Sequence, residues 1–119
     1  MKKILLIISI SLFIFSCGDD TEQITTYYPS GEMESEGKYK DEQRDGKWTW
    51  YYENGQIHFE ANHKDGKRDG KFTLYYESGQ IWSEENYKDG RLDGKYIEYY
   101  RNGQIMEEAN YKDGTLIEE

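Results

Sequence analysis

The sequence predicts an all-β repeat protein, an antiparallel meander of β-hairpins with a 24-residue period. Three observations lead to this prediction. Tyr-Tyr pairs begin at residues 27, 51, 75 and 99. Each pair is followed closely by Asn-Gly or Ser-Gly, which is typical of a tight hairpin turn. Around the later turns, apolar and polar residues alternate as they do in strands that bury one face.

The first residues predict an export signal. Lys2 and Lys3 precede an apolar run over residues 4–15, which is short for a membrane span. Ser16 and Cys17 then resemble the end of a bacterial lipoprotein signal peptide. This resemblance implies that residues 1–16 are removed, that Cys17 is lipidated, and that the protein is lipid-anchored in the bacterial cell envelope, periplasmic or surface-exposed. The alternatives are an ordinary secretory signal and an uncleaved anchor.

Residues 17–26 are predicted to be the lipidated Cys17 and an acidic tether, because the run from 18 to 26 is polar and lacks periodicity. Residues 27–119 then divide into four repeats, at 27–50, 51–74, 75–98 and 99–119. Cys17 is the only cysteine, so an intramolecular disulfide is excluded.

The second repeat illustrates the predicted register. Asn54 and Gly55 are expected to form a two-residue type I′ turn, which requires positive φ at both residues. The residue pairs across this hairpin are then Tyr52 with Ile57, Trp50 with Phe59, and Trp48 with Ala61. The corresponding turn residues in later repeats are Gly79, Asn102 and Gly103. The connectors "KDGKRDGK" and "KDGRLDGK" are expected to form longer loops.

The unit DGKxxxYYxNGQIxxEANYKDG resembles the MORN-type repeat, in the bacterial MORN_2 variant found in the YwqK-like antitoxin family. The resemblance covers residues 27–119. It rests on the turn glycines, on the Tyr-Lys-Asp-Gly phrases at 87–90 and 111–114, and on the glycines before each aromatic strand, Gly46, Gly70 and Gly94. It implies a protein-interaction scaffold that is often exported or lipid-anchored, with an antitoxin role taken from the family name. The first repeat departs from the pattern, with Pro29 at the turn.

Charge and side-chain chemistry argue against several functions. The net charge of −9 disfavours nucleic acid as a partner. His58 and His63 do not recur in other repeats, so packing is a better explanation for them than metal binding. Asp pairs in the connectors (65 with 69, 89 with 93) could hold calcium, but Asp beside Gly usually serves turn chemistry. We predict no enzyme, no cofactor and no metal site.

The predicted partner-binding residues are aromatic side chains on the face opposite Trp48. Tyr51, Tyr75 and Tyr99 recur there, and they are expected beside three other residues, His58, Trp82 and Met106. Tyrosine and tryptophan are frequent at the centres of protein interfaces. The alternative is that this column only stiffens the sheet through cross-strand contacts.

Three functions remain open at this level. The first is a lipid-anchored scaffold that binds another protein through its aromatic sheet and touches the membrane only through the lipid. The second is an antitoxin or immunity protein whose acidic charge covers a basic toxin surface. The third is a choline- or cell-wall-binding module, from a partial likeness of "WTWYYENGQI" to repeats that stack aromatic rings around a quaternary ammonium.

Overall fold

The structure is a computed structural model that describes residues 20–117. Within this range the chain forms one antiparallel sheet in which neighbouring strands follow chain order, so the predicted all-β meander is confirmed. None of the described residues belongs to a helix long and apolar enough to cross a membrane. The strands are β1 Thr21–Tyr27, β2 Met33–Lys40, β3 Gln43–Tyr51, β4 Ile57–Lys64, β5 Lys67–Tyr75, β6 Ile81–Lys88, β7 Arg91–Leu92, β8 Gly94–Tyr99, β9 Ile105–Lys112 and β10 Thr115–Ile117.

The first strand, β1, occupies most of the predicted tether. Thr21–Tyr27 pairs with β2, from Thr21 opposite Lys40 to Tyr27 opposite Met33. Ile24 is 8% exposed and lies one period before Trp48, so a weak copy of the repeat already includes this strand. A tether over residues 21–26 is therefore wrong. Cys17 and the predicted signal peptide lie outside the described residues.

Type I′ turns connect the hairpins at Asp-Gly. Asp65 (φ 51°) and Gly66 (φ 79°) both have positive φ, and the flanking residues Lys64 and Lys67 pair directly. Residues 89–90 and 113–114 repeat this geometry, as do residues 41–42. The predicted long connectors are thus wrong, because the Lys-Asp-Gly phrase forms a two-residue turn and the next strand starts at once.

The Asn-Gly turns contain one residue more than predicted. Gly55 has φ 88°, whereas Asn54 does not have positive φ. The Gly55 N–H donates to the Tyr52 carbonyl at 2.9 Å, and the Tyr52 N–H donates to the Gln56 carbonyl at 2.8 Å. These bonds define a type I turn followed by a glycine bulge, with a loop of Glu53, Asn54 and Gly55. The type I′ prediction is wrong here, although glycine is still required; Gly79 (φ 96°) and Gly103 (φ 90°) behave alike.

A second bulge changes the register next to each of these turns. Trp48 pairs with Ala61 and Trp50 with Phe59, as predicted, but Tyr51 pairs with Ile57. His58 is therefore an extra residue in β4, and the expected pairing of Tyr52 with Ile57 is wrong. The same shift places Tyr75 opposite Ile81 and Tyr99 opposite Ile105.

The sheet has two chemically distinct faces. One, which we call the Trp face, carries Trp48, Trp50, Phe59, Ala61 and Phe72, together with the residues in register with them in later repeats. The other, the Tyr–Glu face, carries Tyr51, Tyr75 and Tyr99 with the recurring glutamates Glu36, Glu60, Glu84 and Glu108. Side chains on neighbouring positions of a strand point to opposite faces, which separates the two sets.

The core of the sheet lies on the Trp face. Trp48 is 2% exposed and Ala61 is fully buried. The Trp48 ring lies directly on Gly37, where an added Cβ would stand 2.1 Å from the ring carbon Cδ2. The Trp48 Nε1 donates to the Lys38 carbonyl at 2.9 Å, so its polar atom is satisfied while its ring is buried.

Candidate interaction faces of the sheet

On the Tyr–Glu face, Tyr51 and Tyr75, the first tyrosines of the second and third pairs, are hydrogen-bonded to the preceding repeat. The Tyr51 hydroxyl donates to Glu36 at 3.1 Å, and the Tyr75 hydroxyl donates to Glu60 at 2.8 Å. Burial, followed by the hydrogen bond to Glu60 and the nearby carboxylate charges, raises the pKa of Tyr75 to about 12. These tyrosines lie on the predicted face, but their polar tips are used within the sheet.

Lysines complete the polar network of this face. Lys47 forms an ion pair with Glu60, and Lys71 forms one with Glu84 at 3.9 Å. A groove of about 410 Å³ lies among these side chains, beside Tyr51. Because carboxylates alternate with ammonium groups and tyrosine hydroxyls, the face is closely balanced in charge and hydrogen bonding.

In the first three pairs, the second tyrosine forms a hydrogen bond to the next repeat. The Tyr28 hydroxyl donates to the Tyr51 carbonyl, Tyr52 to Tyr75, and Tyr76 to Tyr99, at 2.5, 2.7 and 2.7 Å. Each bond spans 23 residues, so it joins the same two positions in successive repeats. The predicted site did not include these tyrosines. Their recurrence at the same position of every repeat could have indicated that they have a shared role.

His58, Trp82 and Met106 do not lie beside the first tyrosines. His58 stacks on Tyr52 with ring centroids 4.2 Å apart, and Trp82 stacks on Tyr76 at 5.1 Å with nearly parallel rings. These contacts place them on the Trp face, and Met106 is the corresponding residue of the last hairpin. The predicted six-residue cluster is therefore divided between two faces. The reason is the bulge at each of these positions, which reverses the alternation assumed for a regular hairpin.

The N-terminal half of the Trp face is filled by its own side chains. Trp50 stacks on Phe59 at 4.5 Å. The Arg44 guanidinium lies 5.1 Å from the Trp48 ring and 5.0 Å from the Trp50 ring. Arg68 repeats this contact over Phe72 at 4.5 Å. The exposed ring surfaces are thus covered by cation–π contacts within the chain.

His63 is part of this packing. It is 8% exposed, and its Nδ1 has no hydrogen-bond partner among the described residues. Burial, and then the charges of Arg44 and Arg68, lower the pKa of His63 below its usual value. Within residues 20–117, no group of three or more His, Cys, Asp or Glu side chains is arranged to hold a metal ion.

The C-terminal half of the Trp face is acidic. Glu98 pairs directly across the sheet with Glu107. Glu98 also accepts hydrogen bonds from Trp82 Nε1 at 3.3 Å and from the Tyr96 hydroxyl at 3.2 Å. Burial, and then Glu98 with more distant contributions from Glu85 and Glu107, raise the pKa of Tyr96 to about 12.

The arginines of this half are arranged differently, because Arg101 lies 5.2 Å from the ring of Tyr76, on which Trp82 stacks. Leu92 stands one period after Arg68, so the cation–π contact of the earlier repeats is not made here. Trp82 and Met106 remain 36% and 43% exposed. The sequence-based prediction did not include this patch, because Glu98 and Glu107 interrupt the apolar pattern by which the buried face was recognised. Two glutamates at the paired positions that hold Trp50 and Phe59 in the second repeat were the sequence signal for this patch.

Comparison with protein families matches the chain to the MORN repeat variant at residues 23–41, 44–65, 68–89 and 92–113. The matched segments follow the hairpins of the sheet, including the one that contains β1. A search of curated proteins found no match. The four matched segments cover most of the chain and agree with the repeat seen in the structure. The protein therefore belongs to the MORN repeat variant family.

Proposed function

We propose that this protein is a non-enzymatic scaffold of the bacterial cell envelope that binds another protein through the C-terminal half of its Trp face. The observation that carries this proposal is the exposed Trp82, which lies beside the directly opposed carboxylates of Glu98 and Glu107. Membership in a family of scaffold repeats supports a binding role over a catalytic one.

Trp82 has the properties of an interface anchor. Its ring is stacked on Tyr76 and its Nε1 is hydrogen-bonded to Glu98, so the side chain is already held in one position. A pre-positioned aromatic side chain loses little conformational entropy when a partner covers it. Met106 lies in the same column and adds an adaptable apolar surface.

The carboxylates define the chemistry of the partner. Like charges directly opposite each other destabilise a sheet, so the pairing of Glu98 with Glu107 is a cost in the free protein. A Lys or Arg side chain from a partner would remove this repulsion and form a charge-assisted hydrogen bond. The partner therefore presents basic side chains next to apolar ones.

The same surface supports the immunity alternative, since an acidic aromatic patch is suited to covering a basic toxin surface. The choline-binding alternative is less favoured. A quaternary ammonium needs free aromatic faces, whereas Arg44 and Arg68 already lie over the rings of the aromatic half.

The lipid anchor remains part of the proposal and rests on Cys17 and the residues before it. Mass spectrometry of the mature N-terminus is expected to find an acylated Cys17. An intact chain that starts at Met1 with an unmodified thiol would contradict the anchor while leaving the binding surface untested by that result.

The binding surface is tested by expressing variants of the full chain in the bacterium that produces the protein. The amount of envelope protein that each variant captures is then measured. Trp82→Ala is expected to weaken capture by about tenfold or more, as truncation of an anchor does. Glu107→Gln is expected to weaken capture while raising the free energy of unfolding, because it relieves the repulsion with Glu98.

Tyr51→Phe on the opposite face is the matched control and is expected to retain capture. A partner that is captured equally by all three variants and the unchanged chain would refute the proposed surface.

A further inference from the structure

A cavity of about 330 Å³ lies among the loops that connect β1 with β2, β3 with β4, and β5 with β6. Its volume is at the lower end of the range of about 300–1,000 Å³ that is usual for ligand sites. The described residues that line it include no lysine or arginine. They are two tyrosines, a histidine, an asparagine and two glutamates: Tyr28, Tyr52, Glu53, Asn54, His58 and Glu77.

The rings of this cavity are held in place by the sheet. The hydroxyls of Tyr28 and Tyr52 donate to main-chain carbonyls of the next repeat, and His58 stacks on Tyr52. Burial lowers the pKa of His58 below its usual 6.5, although the charge of Glu77 opposes this shift. His58 is therefore uncharged at neutral pH and does not repel a cation. Three neutral rings and two carboxylates together form a site suited to a positive group.

Each lining residue has a counterpart 24 residues later, and one of these counterparts reverses its charge, because Arg101 corresponds to Glu77. The Arg101 guanidinium lies 5.2 Å from the ring of Tyr76, the counterpart of Tyr52. Its charge also acts on Tyr52 itself, the counterpart of Tyr28. Burial, and then Glu77, raise the pKa of Tyr52, and Arg101 opposes this rise. In the later repeat, the chain's own guanidinium thus lies against both tyrosines.

We propose that the cavity binds the guanidinium group of an arginine side chain that belongs to a basic segment of another protein. Arg101 shows that the equivalent position one repeat later accommodates this group. Glu53 and Glu77 provide the opposite charge. A guanidinium is planar and weakly hydrated, so it stacks on aromatic rings while it donates hydrogen bonds to carboxylates. A lysine ammonium is more strongly hydrated and does not stack in this way.

Charge complementarity favours an arginine within a protein over free arginine. Free arginine carries an α-carboxylate that Glu53 and Glu77 would repel, whereas an arginine within a chain has none. Both glutamates are exposed, so a side chain can enter while its main chain stays outside. The net charge of −9 also attracts a basic segment. The cavity is built from other hairpins than the one that contains Glu98 and Glu107, so it does not depend on the surface proposed above.

A titration followed by nuclear magnetic resonance tests the site. The isotope-labelled full chain is titrated with glycyl-arginyl-glycine capped at both ends. The main-chain amide signals of Tyr52, Asn54 and His58 are expected to shift together. The same peptide with lysine in place of arginine is expected to bind about fivefold more weakly or less, since an ammonium loses the stacking contact.

Three variants sharpen the test. Glu77→Arg, at an exposed position, is expected to weaken peptide binding about tenfold or more, because the new guanidinium fills the cavity and removes a carboxylate. Glu108→Arg makes the same change in net charge on the Tyr–Glu face and is expected to retain binding. Arg101→Glu empties the later cavity and is expected to add a second set of shifts, at Tyr76 and Ser78.

Four outcomes would overturn the proposal. Shifts confined to Trp82, Glu98 and Glu107 would place the peptide on the other acidic surface, and an absence of shifts would exclude both. Equal binding of the lysine peptide would exclude selection of a guanidinium. Undiminished binding by Glu77→Arg would exclude the cavity. An Arg101→Glu variant without a second set of shifts would contradict the equivalence of the two cavities, on which the choice of ligand rests.

Discussion

The second and fourth repeats share one backbone plan but use the Trp face differently. The second places Trp48, Trp50 and Phe59 there and covers them with Arg44. The fourth has Tyr96, Glu98 and Glu107 at the same three positions, without the arginine. The comparison shows that the same turns and main-chain ladder accommodate very different side chains on the facing positions of two repeats.

The largest difference in stability between the two repeats is expected when Trp48 and the equivalent Tyr96 are each replaced by alanine. Trp48→Ala should lower the free energy of unfolding by about 3–5 kcal/mol, because it removes a buried side chain and leaves a cavity. Tyr96→Ala should cost about 1–2 kcal/mol, since that ring is only half-buried. Denaturant unfolding of both variants measures the difference; equal losses would mean that the fourth repeat is also a packing unit.

Gly37→Ala probes the contact beneath Trp48. The new Cβ would overlap the indole ring, so we expect a loss of about 2 kcal/mol in the free energy of unfolding. The fourth repeat already has Ala109 at the corresponding position. Combining Gly37→Ala with Trp48→Phe should recover part of the loss, because the smaller ring leaves room. Failure of this rescue would show that glycine is required there for another reason.

The bonds between repeats are tested by removing single hydroxyls. Tyr52→Phe and Tyr76→Phe should each cost about 1 kcal/mol, since each leaves a main-chain carbonyl without its donor. Tyr100→Phe should leave the unfolding of the single chain unchanged. Thermal unfolding of the three variants at low protein concentration gives the comparison, and a uniform loss across all three would contradict the difference between inner and terminal repeats.

The smallest predicted effect is a pH dependence of folding stability that arises from His63 in the second repeat. Burial and two nearby arginines hold the pKa of His63 below its usual 6.5 in the folded state. Below about pH 6.5 the unfolded chain takes up a proton that the folded chain resists, so stability falls as the pH falls. His63→Tyr, which copies Tyr87 of the next repeat, should remove this dependence. A slope that persists between pH 5 and 7 in the variant would assign it to other groups.

The sequence predicted the repeat, the all-β class and the central pairings of Trp48 with Ala61 and Trp50 with Phe59. These follow from alternation over several residues, where a one-residue error exposes the whole apolar set. The bulges were not predictable in the same way. Asn-Gly is compatible with a two-residue turn and with a three-residue loop, and both leave the central pairs unchanged.

The errors in the candidate site follow from those bulges. One extra residue at His58, Trp82 and Met106 moves their side chains away from Tyr51, Tyr75 and Tyr99, although simple alternation groups all six. β1 was missed for a different reason, because Thr and Gln at most of its positions give a weak apolar signal. Apart from Tyr27, only Ile24 carries the pattern, and extending the period backwards from Trp48 would have found it.

The tyrosine bonds between repeats also bear on how such a protein changes over generations. Each hydroxyl binds a main-chain carbonyl, and every residue type supplies that acceptor. The bond therefore fits any neighbouring unit that keeps the same spacing. Duplication or excision of a 24-residue coding segment would join compatible surfaces without new contacts. The length of the sheet thus follows from the number of repeat units encoded in the gene. Recombination can change that length in steps of one repeat.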